Sequence, residues 1–164
     1  MKHIYLVRHA KSDWSNSSLS DYDRPLNHRG LKDAPFMANL LKNRVESIDM
    51  IISSPANRAI TTAKYFAKEF GEKTKKILSN EELYLPDYHT IVSVLKNLDD
   101  KIKHVMIVTH NPAITEAANY LTGRGIDNIP TCGIAGLIFE SDHWSKIDKK
   151  KCELDFFDFP KKYI

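Results

Sequence analysis

Disulfides, structural zinc and membrane anchors are all poorly provided for in this sequence. Its two cysteines, Cys132 and Cys152, form neither a disulfide framework nor a zinc-ligand spacing, and they read as free, reduced thiols. The seven histidines include no His-x-x-x-His pair, so no metal or other cofactor is expected. Apolar runs are strand-sized, far below the ~20 residues that span a bilayer. The N-terminus lacks an apolar signal core with a small-residue cleavage site. A soluble cytoplasmic protein with no membrane partner is the expectation. Charge of one sign is also scarce: the net charge is +3, and much of the excess lies in Lys146, Lys149, Lys150, Lys151, Lys161 and Lys162. Such a run reads as a solvated face, so no nucleic-acid partner is expected. With 42% hydrophobic residues the chain is not disordered. No repeat or linker divides it, which predicts a single domain over residues 1–164.

What is present is an alternation of strand and helix patterns. The run from Lys2 to Val7 is apolar and ends in Arg8-His9, a buried strand delivering two phosphate-capable side chains to its C-terminal end. Lys11 to Asn27, rich in Ser, Asp and Asn, reads as a surface loop, and a loop of this length is usually functional. His28 to Val45 has helical spacing behind Asn27 as N-cap, with Pro35 demanding a late start or a kink. Ile48 to Ser54 predicts a second strand closed by Pro55, Ala56 to Phe70 a helix stopped by Gly71, and Lys75 to Leu78 a short strand. Pro86 to Leu98 predicts a helix, His104 to His110 a strong strand, and Asn111-Pro112 a helix start running to about Leu121. Gly133 to Phe139, Trp144 to Ile147 and Leu154 to Phe159 suggest β structure at the sheet edge. The pattern is that of an α/β protein, a three-layer αβα sandwich with a mainly parallel central sheet.

Two of these strands end in histidine, at His9 and His110. In a parallel sheet both ends lie on the edge where α/β proteins bind ligands, so the imidazoles can face each other across one pocket. Arg58 stands near the start of the helix after Ser53-Ser54-Pro55, where a helix N-terminus and a guanidinium fork both suit phosphate oxygens. With Arg8, these groups would offset the charge of a phosphoryl group. In that setting His9 is the candidate nucleophile, its other ring nitrogen held by a hydrogen bond, forming a phosphohistidine in the first of two in-line steps without a metal. His3 and His104 fall at the opposite sheet edge and read as structural. His28 borders the loop and could approach substrate.

Four segments, taken in order, resemble the motifs of the histidine phosphatase superfamily, which includes the phosphoglycerate mutases. They are Leu6-Val7-Arg8-His9-Ala10, Arg24-Pro25-Leu26-Asn27-His28-Arg29-Gly30, Ser53 to Ala63 with Arg58, and Val108-Thr109-His110-Asn111-Pro112. The Arg-Pro-Leu-x-x-x-Gly element and the short chain are most similar to the SixA-type phosphohistidine phosphatases. The resemblance implies a phosphoglycerate mutase-like fold, with His9 as phosphorylated nucleophile and Arg8, Arg58 and His110 as phosphoryl ligands. It implies a further phosphate contact from Ser15. Where mutases carry a general acid after the third strand, this sequence has Leu85, with Glu82 and Asp87 as the nearby candidates for the acid. The departure fits phosphohistidine, whose imidazole leaves more readily than the alkoxide of an ester. The expected partner is a phosphohistidine-bearing protein, or else a small phosphorylated substrate; oligomeric state is left open. Two alternatives are a phosphatase or mutase for small phosphate monoesters using Glu82 or Asp87, and a catalytically silent phosphate-binding domain.

Overall fold

A computed structural model describes residues 1–71 and 77–163. The chain order is β1 (Lys2–Arg8), α1 (His28–Arg44), β2 (Met50–Ser53), α2 (Asn57–Glu69), β3 (Ile77–Ser79), α3 (Tyr88–Lys96), β4 (His104–Thr109), α4 (Ala113–Thr122), β5 (Ile134–Phe139) and β6 (Cys152–Asp158). Of the expected strand at Lys75 to Leu78, Lys75 and Lys76 lie outside the described residues; β3 begins at Ile77.

Six strands form one sheet in the order β3-β2-β4-β1-β5-β6. The first four in that order are mutually parallel, whereas β5 runs antiparallel to β1 and β6 antiparallel to β5. Alternation along the strands divides the core in two. Ile4, Leu6, Val105 and Ile107 face α3 and α4, while Tyr5, Val7, Met106 and Val108 face α1 and α2. Residues of both sets are buried, as a parallel sheet covered on both faces requires. Among the described residues no helix is long and apolar enough to cross a membrane.

Local chemistry explains most element ends. Asn27 caps α1 by accepting a hydrogen bond from the Gly30 amide at 2.8 Å, and α1 then continues through Pro35 rather than starting late. A Cβ on Gly30 would lie 2.2 Å from the Lys11 carbonyl oxygen. Glycine here lets α1 rest against the backbone just after the first strand. Gly123 ends α4 in the left-handed conformation, its amide bonded to the Asn119 carbonyl.

Two expectations need correction. Trp144 to Ile147 is not a strand: Trp144–Lys146 is a 3-10 turn whose tryptophan is fully buried against Phe139, its indole N–H donating to the Ile102 carbonyl. The burial of one large ring fixes this segment, not a sheet ladder. The loop from Lys11 to Asn27 is also less superficial than its composition suggests. Its ends pair through an antiparallel bridge between Ser12 and Leu26, and Ser12, Arg24 and Leu26 are buried.

Candidate active site

The pairing of β1 with β4 places Arg8 beside Thr109, so His9 and His110 each follow directly beyond a paired strand end. Their ring centroids are 5.1 Å apart. His9 is tied on three sides. Its amide donates to the Thr109 carbonyl at 3.2 Å, its carbonyl and that of Arg8 both accept from the Cys132 amide, and the following amide, of Ala10, donates to the Thr62 hydroxyl on α2. Cys132 is held in the left-handed region at φ 61° to make that clasp.

The two rings have defined tautomers. His9 Nδ1 lies 2.8 Å from the Ala10 carbonyl oxygen, which can only accept, so Nδ1 carries the proton and Nε2 keeps its lone pair. His110 Nε2 lies 2.8 Å from the Ser54 hydroxyl, which also accepts from the Ala56 amide at 3.3 Å. The buried Ser54 hydroxyl has no other acceptor among the described residues, so it donates its one proton to Nε2, and His110 carries its own proton on Nδ1. Burial, opposed by the Ala10 hydrogen bond but joined by the charges of His110, Arg58 and Arg8, pushes the His9 pKa down to about 3. Burial and the Arg58 charge push His110 down to about 4 against the pull of Asp21. Both rings are neutral at physiological pH.

A cavity of about 280 Å³ opens in front of these rings, lined by Arg8, His9, Lys11, Ser12, Trp14, Arg24, Arg58, Leu85, His110, Asn111 and Thr131. None of these is a carboxylate. Arg8 donates to the Ile129 carbonyl, and burial lowers its pKa. Arg58 is fixed by Asp21, donating to its backbone carbonyl at 2.7 Å and to its carboxylate at 3.0 Å. The same carboxylate pairs with Arg24 at 2.9 Å and accepts from the Tyr84 hydroxyl at 2.6 Å. Burial of Asp21 opposes its ionisation, but Tyr84, Arg58 and Arg24 outweigh this and hold its pKa below the usual carboxylate range. Three buried donors of the site, Arg8 Nε, Arg58 Nε and His110 Nδ1, have no acceptor among the described residues. Such groups cost about 1–3 kcal/mol each unless something accepts from them.

His9, Arg8, Arg58 and His110 are thus brought together as sequence reasoning expected. Ser15 is not: it is exposed, its amide bonded to the Asp13 carboxylate, and its neighbours Ser12 and Trp14 line the cavity instead. Neither Glu82 nor Asp87 lines it. Glu82 sits exposed in the 3-10 turn Glu81–Leu83, and Asp87 caps α3 by accepting from the Thr90 amide, which lowers its pKa. Two amides at the start of α2 are already taken, Ala56 by the Ser54 hydroxyl and Asn57 by the Tyr22 carbonyl, and Arg58 adds its guanidinium there. His28 lines a different cavity, of about 700 Å³, between α1 and the C-terminal turn. His3 and His104 stack at 4.4 Å at the far sheet edge. Residues the sequence reading did not assign to the site include Arg24, Asp21, Ser54 and Trp14; of these Arg24 carried a signal, since it begins the Arg-Pro-Leu element.

Known proteins share sequence and fold with this chain. The sequence model of the histidine phosphatase superfamily (branch 1) matches residues 4–85. An uncharacterized protein of Mycobacterium leprae is 29% identical over 167 residues, covering 94% of this chain and 100% of that one. An uncharacterized chloroplastic protein of Arabidopsis thaliana is 29% identical over 157 residues, covering 88% of this chain and 70% of that one. Among solved structures, the protein of Agrobacterium tumefaciens provisionally described as the phosphohistidine phosphatase SixA superposes with a TM-score of 0.82 at 28% identity, over 97% of this chain and 98% of that one. The protein histidine phosphatase SixA complexed with tungstate superposes at 0.84 and 21% identity, over 99% of both chains, a likeness of fold. The sheet is therefore of the phosphoglycerate mutase-like α/β type found in those neighbours. Because the matched stretch covers half the sequence and carries Arg8, His9 and Arg58, the chain belongs to the histidine phosphatase superfamily (branch 1).

Proposed function

We propose that this protein is a phosphohistidine phosphatase that removes phosphate from histidine side chains of other proteins through a phosphoryl group carried transiently on His9. The observation that carries the reading is a neutral, oriented His9 in a cationic cavity whose described lining contains no carboxylate. The likeness at 28% identity to the Agrobacterium protein supports it.

In the first step the lone pair on His9 Nε2 attacks phosphorus, the new N–P bond forms, and the substrate's P–N bond breaks in line. A substrate ring protonated on its far nitrogen leaves as neutral imidazole, while His9, already protonated on Nδ1, becomes the phosphorylated cation. One phosphoimidazolium replaces another, so no proton has to be delivered to the leaving atom and no general acid is needed. An alkoxide would need one. In the second step water attacks, the His9 N–P bond breaks, and His9 returns to neutrality; the water's two hydrogens leave with the phosphate as H₂PO₄⁻ or pass to solvent. Throughout, Arg8, Arg58 and the Nδ1–H of His110 face charge spread over the equatorial oxygens, a preorganised set that does not reorganise during the reaction. Arg24 and Lys11 add positive charge at the wall.

The test is a donor panel. Phosphohistidine protein should be hydrolysed with kcat/KM orders of magnitude above phosphoglycerates and sugar phosphates, and His9→Ala should lose both turnover and covalent labelling. A small ester winning by orders of magnitude would overturn the substrate assignment. Turnover surviving in His9→Ala would overturn the mechanism, and phosphate binding with no turnover of any donor would leave a silent binding domain.

A further inference from the structure

Two apolar side chains on the cavity wall play no part in holding phosphate. Trp14 and Leu85 both line the cavity, yet they are 71% and 57% exposed, among the most exposed large hydrophobic residues described in the chain. Each is held there by a specific device. Trp14 lies against Arg24, the guanidinium carbon 3.4 Å from the ring centroid, and Arg24 is itself fixed to Ser12 and Asp21. One face of the indole is thereby fastened to the phosphate-binding wall while most of the ring stays in solvent. Leu85 has φ 47°, the left-handed region that leucine avoids and that persists where the surroundings enforce it, commonly at functional sites. It stands between the turn ending at Leu83 and the Asp87 cap of α3, both hydrogen-bonded.

The position of these groups relative to His9 decides what they meet. In-line displacement places the leaving group opposite the attacking nitrogen. With phosphorus at the buried His9, the leaving group is left at the exposed mouth of the cavity. The exposed side chains of the lining are Trp14, Leu85 and Lys11, with Asn111 and Thr131 half-buried beside them. A glycerate carboxylate could turn to Lys11 and sugar hydroxyls to Asn111 or Thr131, but neither gains from the apolar area of Trp14 and Leu85. A planar, uncharged ring would instead cover indole and leucine together.

We propose that Trp14 and Leu85 form the leaving-group seat of this enzyme and that the group they take is a planar heteroaromatic ring, the imidazole of a phosphohistidine side chain. The proposal rests on the phosphohistidine reading and names the residues that would select for it. Trp14 and Leu85 are specificity residues; the phosphoryl group itself is held by others.

The test compares donors with the same P–N bond but different leaving groups, phosphohistidine and phosphoramidate, in wild type, Trp14→Ala and Leu85→Ala. Each substitution should lower the ratio of kcat/KM for phosphohistidine over phosphoramidate about tenfold, the scale of one aromatic or apolar contact. In parallel, phenylphosphonate should inhibit wild type more strongly than methylphosphonate, and the substitutions should erase the difference. If both ratios are unchanged, with activity on all donors falling together or not at all, the seat is overturned, and Trp14 serves only to prop Arg24. Wild type that prefers phenylphosphonate but does not cleave phosphohistidine would overturn the phosphohistidine reading while upholding a ring seat. Cleavage of phosphohistidine with no phenyl preference would do the reverse.

Discussion

Replacing Ser54 by alanine separates the tautomer of His110 from its mere presence. Ser54 is fully buried, and its hydroxyl accepts from the Ala56 amide at 3.3 Å while donating to His110 Nε2 at 2.8 Å. Alanine strands both partners. At about 1–3 kcal/mol for a buried group left without a partner, and with the longer bond at the weak end, a stability loss of about 2–3 kcal/mol is expected. The catalytic effect has another origin. Without the hydroxyl, the proton of the neutral imidazole can move to Nε2, which turns a lone pair on Nδ1 toward the phosphoryl oxygens in place of a donor. Loss of one preorganised donor costs about 10²–10³ in kcat. Because the correct tautomer stays accessible, the lower end, about 10², is expected. Steady-state kcat on phosphoramidate and phosphohistidine measures this, and the ¹⁵N shifts of the His110 ring report which nitrogen carries the proton. A kcat within threefold of wild type in Ser54→Ala, or a wild-type His110 protonated on Nε2, would refute the reasoning.

Acidification should destabilise the fold: His9 and His110 titrate at about 3 and about 4 when folded but near 6.5 when unfolded, so between those values only the unfolded chain binds the protons. Stability is then fully present above pH 6.5 and is lost as pH falls, by at most roughly 2 kcal/mol per histidine at pH 5, and thermal melts of wild type against His110→Ala should show the smaller slope in the variant. Asp21→Asn removes the anchor of Arg58 and Arg24 but also a negative charge from the site; kcat should fall about tenfold while inorganic phosphate inhibits as well as before or better, and a weaker phosphate Ki would count against an orienting role. Gly30→Ala would press a Cβ to 2.2 Å from the Lys11 carbonyl oxygen and should cost about 2–3 kcal/mol by overpacking, read as a shift in the urea midpoint at constant m.

How much of this was legible beforehand depended on whether a residue's role is set by its own element or by a distant one. His9, His110 and Arg58 could be placed because each sits at a strand end or helix start recognisable from the local pattern, and Asn27 could be named as a cap for the same reason. Ser15 is implied by the resemblance alone, and nothing local says which side of an irregular loop faces inward; the Ser12–Leu26 bridge decides that. Asp21 and Tyr84 meet only through the fold, 63 positions apart in the chain. Trp144 misled because a short apolar segment reads alike whether it joins a sheet or plugs a core. Lost acidity, in contrast, was visible as Leu85 itself, although its left-handed backbone and exposure were not.

The order of strands has a consequence for how the chain can be divided. β4 lies between β1 and β2, pairing with both, so the two N-terminal strands do not touch. A fragment ending at residue 85 would hold His9, Arg8 and Arg58 yet have no strand to join β1 to β2 and no His110. Site and sheet would be completed by the same late segment. During synthesis the enzyme should therefore pass from inert to competent in one step, as β4 slots between strands already made, and the two halves produced separately should be individually unfolded and active only when mixed.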